Sequence, residues 1–351
     1  MPALRQNQVS ATPTPETPSD TISGSAGNNP GQELSPAVKQ IRTGHRVYAD
    51  ATFRSLVIAC GLAILAIVGL ILFELVGQSH LSLRQFGLKF LARSIWDPNI
   101  DDYGALPFIY GTLVSSFLGL LIAVPLSVGT ALFLTEICPR QIRAVLSLCV
   151  ELLAAIPSVI YGLWGIFVLV PFLRLHLEPF LQNYFQWTGL FNGPKIGFGM
   201  LAAGIIIAIM ILPIISSISR EVIVAVPRQQ REAALALGAT KWEMLRIAVL
   251  RNARPGIFGA IILGLGRAFG ETMAVTMVIG NRPEIARSLF APGDTLASSI
   301  ANQFNEATTP MYQSALVEMG LVLFVLTLLV NALAGLLVWS ITRGQPARGL
   351  A

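Results

Sequence analysis

The chain has 351 residues, 54% of them hydrophobic and only 12% charged, about half the charge content of a soluble globular domain. With a mean hydropathy of +0.66 it is excluded from the soluble class and reads as a polytopic membrane protein. The net charge of +5 does not point to nucleic acid, because membrane proteins gather Lys and Arg on their cytoplasmic loops; the position of each charge matters more than the sum.

In chain order, residues 1 to 50 are rich in Ser, Thr, Pro, Gly, Asn and Gln. That composition predicts a disordered cytoplasmic tail, followed by a single six-span domain over 51–351. Apolar segments lie at about 55–76, 107–135, 144–171, 197–219, 256–280 and 315–341, each long enough to cross a bilayer as a helix. None alternates with period two, which argues against an outer-membrane barrel. Pro125, Pro157 and Pro213 fall within them and are tolerated where neighbouring helices satisfy the freed backbone. The fold class predicted is therefore all-α with six transmembrane helices.

Orientation follows from the basic residues. With the tail inside, the cytoplasmic set near the spans is Lys39, Arg42, Arg46, Arg54, Arg140, Arg143, Arg343, Arg348 and the seven between 220 and 254; the outer set is Arg84, Lys89, Arg93, Arg174, Lys195, Arg282 and Arg287. This asymmetry puts both termini in the cytoplasm.

Cys60, Cys138 and Cys149 form no CxxC pair, and His45, His80 and His176 are scattered. Neither a disulfide framework nor a metal site is indicated, and the cysteines read as small packing residues. No GxxxxGK[ST] loop is present, so any ATP belongs to a partner. Gly264, Gly266 and Gly270 have the wrong spacing for a dinucleotide fingerprint and read as small faces for helix packing.

Between the fourth and fifth spans, Arg220 to Arg254 is a basic and structured loop. Pro227 can open a helix over Arg231 to Leu237 and Gly238 can end it. Thr240 and Glu243 make a capping-box pattern for a second helix, with Trp242, Leu245 and Val249 on one face. Composition alone fits equally a loop lying on anionic headgroups. Within the spans, Arg267 is the only basic residue, about 12 residues or roughly 18 Å from either helix end, too far to snorkel to water. Glu271 follows one turn later and can pair with it at i,i+4; Glu151 falls in the third segment and Glu318 in the sixth. A buried ion pair of Arg267 with Glu271, Glu151 or Glu318 that pins the bundle is one reading. The other is a guanidinium fork offered to a tetrahedral oxyanion, with Glu271 limiting its charge.

Three stretches carry a resemblance. Glu232-Ala233-Ala234, followed by Gly238 and Leu250, resembles the EAA coupling loop of bacterial ABC importer permeases, here at about 228–250, with Arg251 where the family usually has Pro. The run Leu263 to Val275, containing Gly266-Arg267-Ala268-Phe269-Gly270-Glu271-Thr272-Met273, resembles the fifth-span motif of PstC-type phosphate permeases, and Glu151 to Ser158 resembles their third span. The resemblance covers a core of about 107–342. It implies a type I ABC importer permease fold in the bacterial cytoplasmic (inner) membrane, a phosphate path at Arg267, Glu271 and Glu151, and ATPase coupling through Glu232, Ala233, Ala234 and Gly238. Implied partners are a PstA-type permease, a PstB-type ATPase dimer, a PstS-type phosphate-binding protein, inorganic phosphate and membrane lipids. It implies neither a cofactor nor covalent chemistry for this chain. A permease for another oxyanion such as molybdate or sulfate, or a signalling scaffold that transports nothing, are the alternatives.

Overall fold

The computed structural model describes the backbone of residues 36–342 and the side chains of residues 52–340. The chain divides into two units, 1–66 and 67–351. Helix α1 (Pro36–Gln78) is all that is described of the first unit and runs on into the second. Its opening turns occupy residues 36–50, expected from composition to be unstructured. Pro36 can start a helix, and extending one that the apolar stretch already nucleates costs little. The rest of the expected tail, residues 1–35, lies outside the described residues.

Among the described residues six helices are long and apolar enough to cross a membrane: Thr52–Gln78, Leu106–Ile137, Ser158–Thr188, Met200–Val224, Lys241–Phe269 and Pro310–Ser340. Among the described residues the only β feature is an isolated bridge between Asp97 and Asp102. After α2 (His80–Phe86) and α3 (Lys89–Ala92) comes α4 (Leu106–Leu132), which continues through a π turn, Phe133–Ile137. The third apolar segment is broken rather than continuous. Helix α5 (Arg140–Ala155) stops at Ile156, which is extended at ψ 127°, and α6 (Ser158–Trp164) restarts after Pro157. A residue before proline is driven out of the helical region, and Pro157 suits the residue just ahead of a new helix. The span then continues through α7 (Val170–Phe172) and α8 (Glu178–Phe185), with π turns at 165–169 and 173–177. It thus lies at 158–188, not 144–171.

Helix α9 (Met200–Val224) is the axis of the second unit. Two-thirds of its apolar window is buried, against a third or less for every other span, and Ile206, Ile207, Ile211 and Ile215 lie at the centre of the largest core cluster. Small residues let its neighbours approach. A Cβ on Gly204 would stand 2.6 Å from Leu118 of α4, and one on Gly119 of α4 would stand 2.6 Å from Ile207. In lipid, where apolar burial drives helix association weakly, such van der Waals contact between backbones is a principal source of cohesion. The Ser127 hydroxyl adds a hydrogen bond to the Leu212 carbonyl at 3.0 Å.

The remaining elements are α10 (Arg228–Ala236), α11 (Lys241–Met244), α12 (Arg251–Phe269), α13 (Met273–Ile279), α14 (Leu296–Gln303) and α15 (Pro310–Thr342). Next to α2 and α14 an aromatic cluster closes one end of the second unit: Tyr103 stacks on Tyr312 at 5.6 Å, and Trp96 and Tyr312 both donate to the Gln303 side-chain oxygen at 2.8 Å. Asp294, in the loop before α14, is 2% exposed. It accepts from the Thr295 N–H at 2.9 Å and from the Ser298 hydroxyl, while its second oxygen has no partner among the described residues.

Burial pushes the Asp294 carboxyl up to about 6, against the hydrogen bonds that favour its charged form. A carboxyl whose folded pKa is raised stabilises the fold below its unfolded pKa and loses that contribution as pH rises through the folded value. The window is therefore pH about 4 to 6. From the shift, the fold should be about 1–2 kcal/mol more stable at pH 5 than at pH 7.5 on account of this group. Thermal unfolding of the purified protein at the two pH values should show that difference shrink in Asp294→Asn; an unchanged pH dependence would contradict the assignment.

Candidate functional site: a break in the fifth span and the coupling loop

The fifth span does not run through its conspicuous charges as one helix. Helix α12 ends at Phe269, Gly270 to Thr272 form a break, and α13 begins at Met273. Arg267 therefore sits in the last turn of a helix, where the partial negative charge of the free carbonyls favours a cation, and not in mid-helix as the apolar run suggests. Glu271 precedes α13, and its carboxylate accepts the Ala274 N–H at 3.5 Å. The backbone freed by the break is satisfied locally. The Thr272 hydroxyl donates to the Gly270 carbonyl at 3.1 Å, the Thr276 N–H and hydroxyl both donate to the Thr272 carbonyl, and the Glu271 N–H donates to Ala268 at 3.4 Å. The Gly-Glu-Thr sequence thus carries the groups that make an interruption affordable in an apolar medium.

Arg267 and Glu271 line one cavity of about 650 Å³, together with Ile214 of α9, Gly259, Ile262, Leu263, Gly266 and Gly270, and Asn331 of α15. Among the described residues there are three ion pairs, and Arg267 belongs to none of them. The i,i+4 pairing expected with Glu271 is absent because the helix on which it depends ends between the two residues. Glu271 is 8% exposed, whereas Arg267 is exposed on the cavity side. An added Cβ on Gly162 of α6 would stand 3.2 Å from Ala274 of α13, so the helix that follows the break in the third segment packs on the helix that follows the break in the fifth. Asn331, with a side-chain oxygen that has no partner among the described residues, completes the wall; its sequence signal was a lone amide within an apolar run.

The other acidic residues of the spans are elsewhere. Glu151 belongs to α5, before the Pro157 break, and accepts from Arg220 at 2.8 Å. Arg220 lies six residues beyond Ile214 on α9, about 9 Å along the helix. Glu318 is buried on α15 and lines a separate, mainly leucine-walled cavity with Leu83, Leu88 and Ile109.

The three glycines of the fifth-span motif divide in role. A Cβ on Gly264 would stand 2.7 Å from Ile215, so this residue is the packing contact with α9. Gly266 and Gly270 face the cavity instead, with nothing nearer than 3.8 Å to an added Cβ, so they keep the cavity open and do not serve the close helix packing expected of them. Accordingly Gly264→Ala should cost about 1–3 kcal/mol by overpacking, while Gly266→Ala should leave unfolding unchanged. Equal losses of thermal stability in the two variants would contradict this division.

The loop between the fourth and fifth spans forms nearly as its sequence predicts. Helix α10 follows Pro227, Gly238 adopts φ +84° in the left-handed region open to glycine, and Thr240 and Glu243 make the reciprocal capping box ahead of α11. Glu232, Ala233 and Ala234 lie on α10. The buried face beyond is Met244, Ala248 and Val249, because a π turn over Leu245–Leu250 resets the register; Trp242, expected on that face, is exposed, as are Leu235 and Leu237. Arg251 continues the helix into α12 without interruption. Arg231 donates to the Ile223 carbonyl at 2.7 Å and pairs with Glu136 at 3.2 Å, and the Asn252 amide donates to the Gln230 side-chain oxygen at 2.6 Å. These contacts tie α10 to the ends of α4 and α9 and to the start of α12.

Residues 123–343 match the family of binding-protein-dependent transport system inner membrane components. The chain is 46% identical over 310 residues to the phosphate transport system permease protein PstC of Mesorhizobium japonicum, covering 86% of this chain and 95% of that protein. It is 43% identical over 309 residues to the protein of the same name from Haemophilus influenzae, covering 87% and 97%. A crystal structure of a bacterial ABC transporter involved in the import of the acidic polysaccharide alginate superimposes with a TM-score of 0.55 at 18% identity, over 85% of this chain and 99% of that one; this likeness shows the fold, that of an ABC importer permease. The chain therefore belongs to the binding-protein-dependent transport system inner membrane component family and is a multi-pass membrane protein of it.

Proposed function

We propose that this chain is a transmembrane permease subunit of an ATP-driven phosphate importer. The observation that carries the reading is the cavity at the break of the fifth span, where a guanidinium with no carboxylate partner among the described residues and a buried carboxylate line one space. The names of the relatives support the substrate. A guanidinium fork presents paired donors to a tetrahedral oxyanion, and the Glu271 carboxylate restrains the local positive charge so that a bound anion can leave. Glu151, paired with Arg220, acts on the same path about 9 Å nearer the coupling loop.

On this reading the protein lies in the bacterial cytoplasmic (inner) membrane with both termini in the cytoplasm, as its basic residues favour. It pairs with a PstA-type permease and receives phosphate from a PstS-type binding protein on the outer face. A PstB-type ATPase dimer docks at α10 through Glu232, Ala233 and Ala234, with the exposed Leu235, Leu237 and Trp242 supplying apolar contact area and Gly238 setting the turn. ATP is bound by those partner subunits; this chain holds no cofactor and catalyses no covalent step. Closure of the ATPases pulls α10, and the Arg231 and Asn252 contacts carry that motion into α4, α9 and α12, the walls of the path.

Radiolabelled phosphate uptake in cells carrying Arg267→Gln tests this directly. Uptake should fall by about 100-fold, the scale on which loss of a charge-assisted contact acts, with normal membrane expression. Unchanged uptake would overturn the role of Arg267, and uptake of sulfate or molybdate in place of phosphate by the wild type would overturn the substrate.

A further inference from the structure

A second concentration of arginines lies at the coupling end, away from the Arg267 cavity. A cleft of about 400 Å³ opens where the π turn after α4, the start of α5 and helix α10 meet; its charged lining is Glu136, Arg140, Arg143, Arg228, Arg231 and Glu232. Four guanidiniums face two carboxylates, one of which is already engaged with Arg231.

Two of the arginines are fixed by the fold. Arg143 donates to the Cys138 carbonyl at 3.1 Å, and Arg231 donates to the Ile223 carbonyl at 2.7 Å. Carbonyl anchors orient a guanidinium without neutralising it. In both residues the Nε–H is buried and has no acceptor among the described residues. An unsatisfied buried donor is costly, more so on a charged group, and such groups are rare enough in folded proteins to need a reason. An anion in the cleft supplies one. It balances the excess positive charge of the lining and offers acceptor oxygens to the guanidinium N–H groups that border the cleft. A phosphate group, with several acceptor oxygens around one centre, suits more than one guanidinium at once.

We propose that this cleft is a phosphate-group binding site at the coupling end of the permease. Its occupant is inorganic phosphate or the headgroup of an anionic phospholipid, which present the same chemistry. Bound there, it bridges Arg143 of α5 to Arg231 of α10 and so reinforces the link through which the coupling helix moves. The inference does not depend on what passes the Arg267 cavity.

The test uses the importer assembled with its partner permease and ATPase subunits, without the phosphate-binding protein, and carrying Arg267→Gln, so that neither that protein nor the central cavity contributes. In nanodiscs of phosphatidylcholine, saturable binding of radiolabelled phosphate should weaken at least about fivefold on adding Arg143→Gln and should be largely kept by Arg143→Lys. In nanodiscs containing phosphatidylglycerol, native mass spectrometry reads lipid retention. Loss of a retained phosphatidylglycerol in Arg143→Gln, without a phosphate-binding difference, supports the site and assigns it to lipid. If neither phosphate binding nor lipid retention changes in monodisperse Arg143→Gln complex, the proposal is overturned. Should that variant not assemble, Arg140→Gln is read by the same two measurements with the same criteria.

Discussion

The interruption of the fifth span at Gly270 to Thr272 is the constraint on which the rest of the site depends. An α-helix satisfies its own backbone, so a break inside the membrane has to replace every hydrogen bond it gives up. Here the replacement comes from the interrupting residues themselves: the Thr272 hydroxyl on the Gly270 carbonyl and the Glu271 carboxylate on the Ala274 N–H. The short helix that follows is held because Gly162 and Gly165 bring the third span against Met277 and Val278, with added Cβ atoms at 2.4 and 2.8 Å from them. Were this a continuous helix, Arg267 and Glu271 would lie one turn apart on one face and pair. The break instead puts the cation at a helix end that favours it and the anion at a helix start that favours it, on the wall of one cavity.

The same principle bears on how the cavity and the proposed coupling loop are connected. Helix α12 carries the cavity at one end and reaches the coupling loop at the other, with no interruption from Lys241 to Phe269. Its contacts with α9 are glycine to isoleucine at Gly264 and glycine to valine at Gly256, where an added Cβ would stand 2.4 Å from Val222. At these two contacts the helices are packed too closely to absorb a displacement locally. A movement of α10, tied by Arg231 and Asn252 to the surrounding helix ends, therefore has a rigid route toward Arg267.

Much of this was legible in the sequence. Apolar runs gave the number of spans, the capping box at Thr240 and the stop at Gly238 gave the coupling loop, and Arg267 and Glu271 stood out as charges in apolar surroundings. What hydropathy cannot register is geometry within a run. Ile156 and Pro157 are apolar enough to be read through, so Glu151 appeared to lie in a span although the residue before proline carries the steric signal for a break. Gly270 to Thr272 were hidden similarly, since one acidic residue does not lower a long window below threshold. The π turn at 245–250 leaves no composition mark and turned Trp242 out of the face assigned to it. Asn331 faces Gly266 across the cavity, a long-range pairing that the spacing of either residue does not encode.

One face of α12 borders the cavity that ends at the helix break, and on the proposed function water and phosphate both reach it. Thiol accessibility measures it most directly. In a background with Cys60, Cys138 and Cys149 replaced, single cysteines at positions 259, 264, 266, 268 and 270 of the assembled importer would be labelled with a charged methanethiosulfonate reagent, with and without phosphate. Labelling is expected at 259, 266 and 270, slowed by phosphate at 266 and 270, with protection at 264 and 268. Labelling of 264 as fast as 266, or no labelling at 266 and 270, would contradict it.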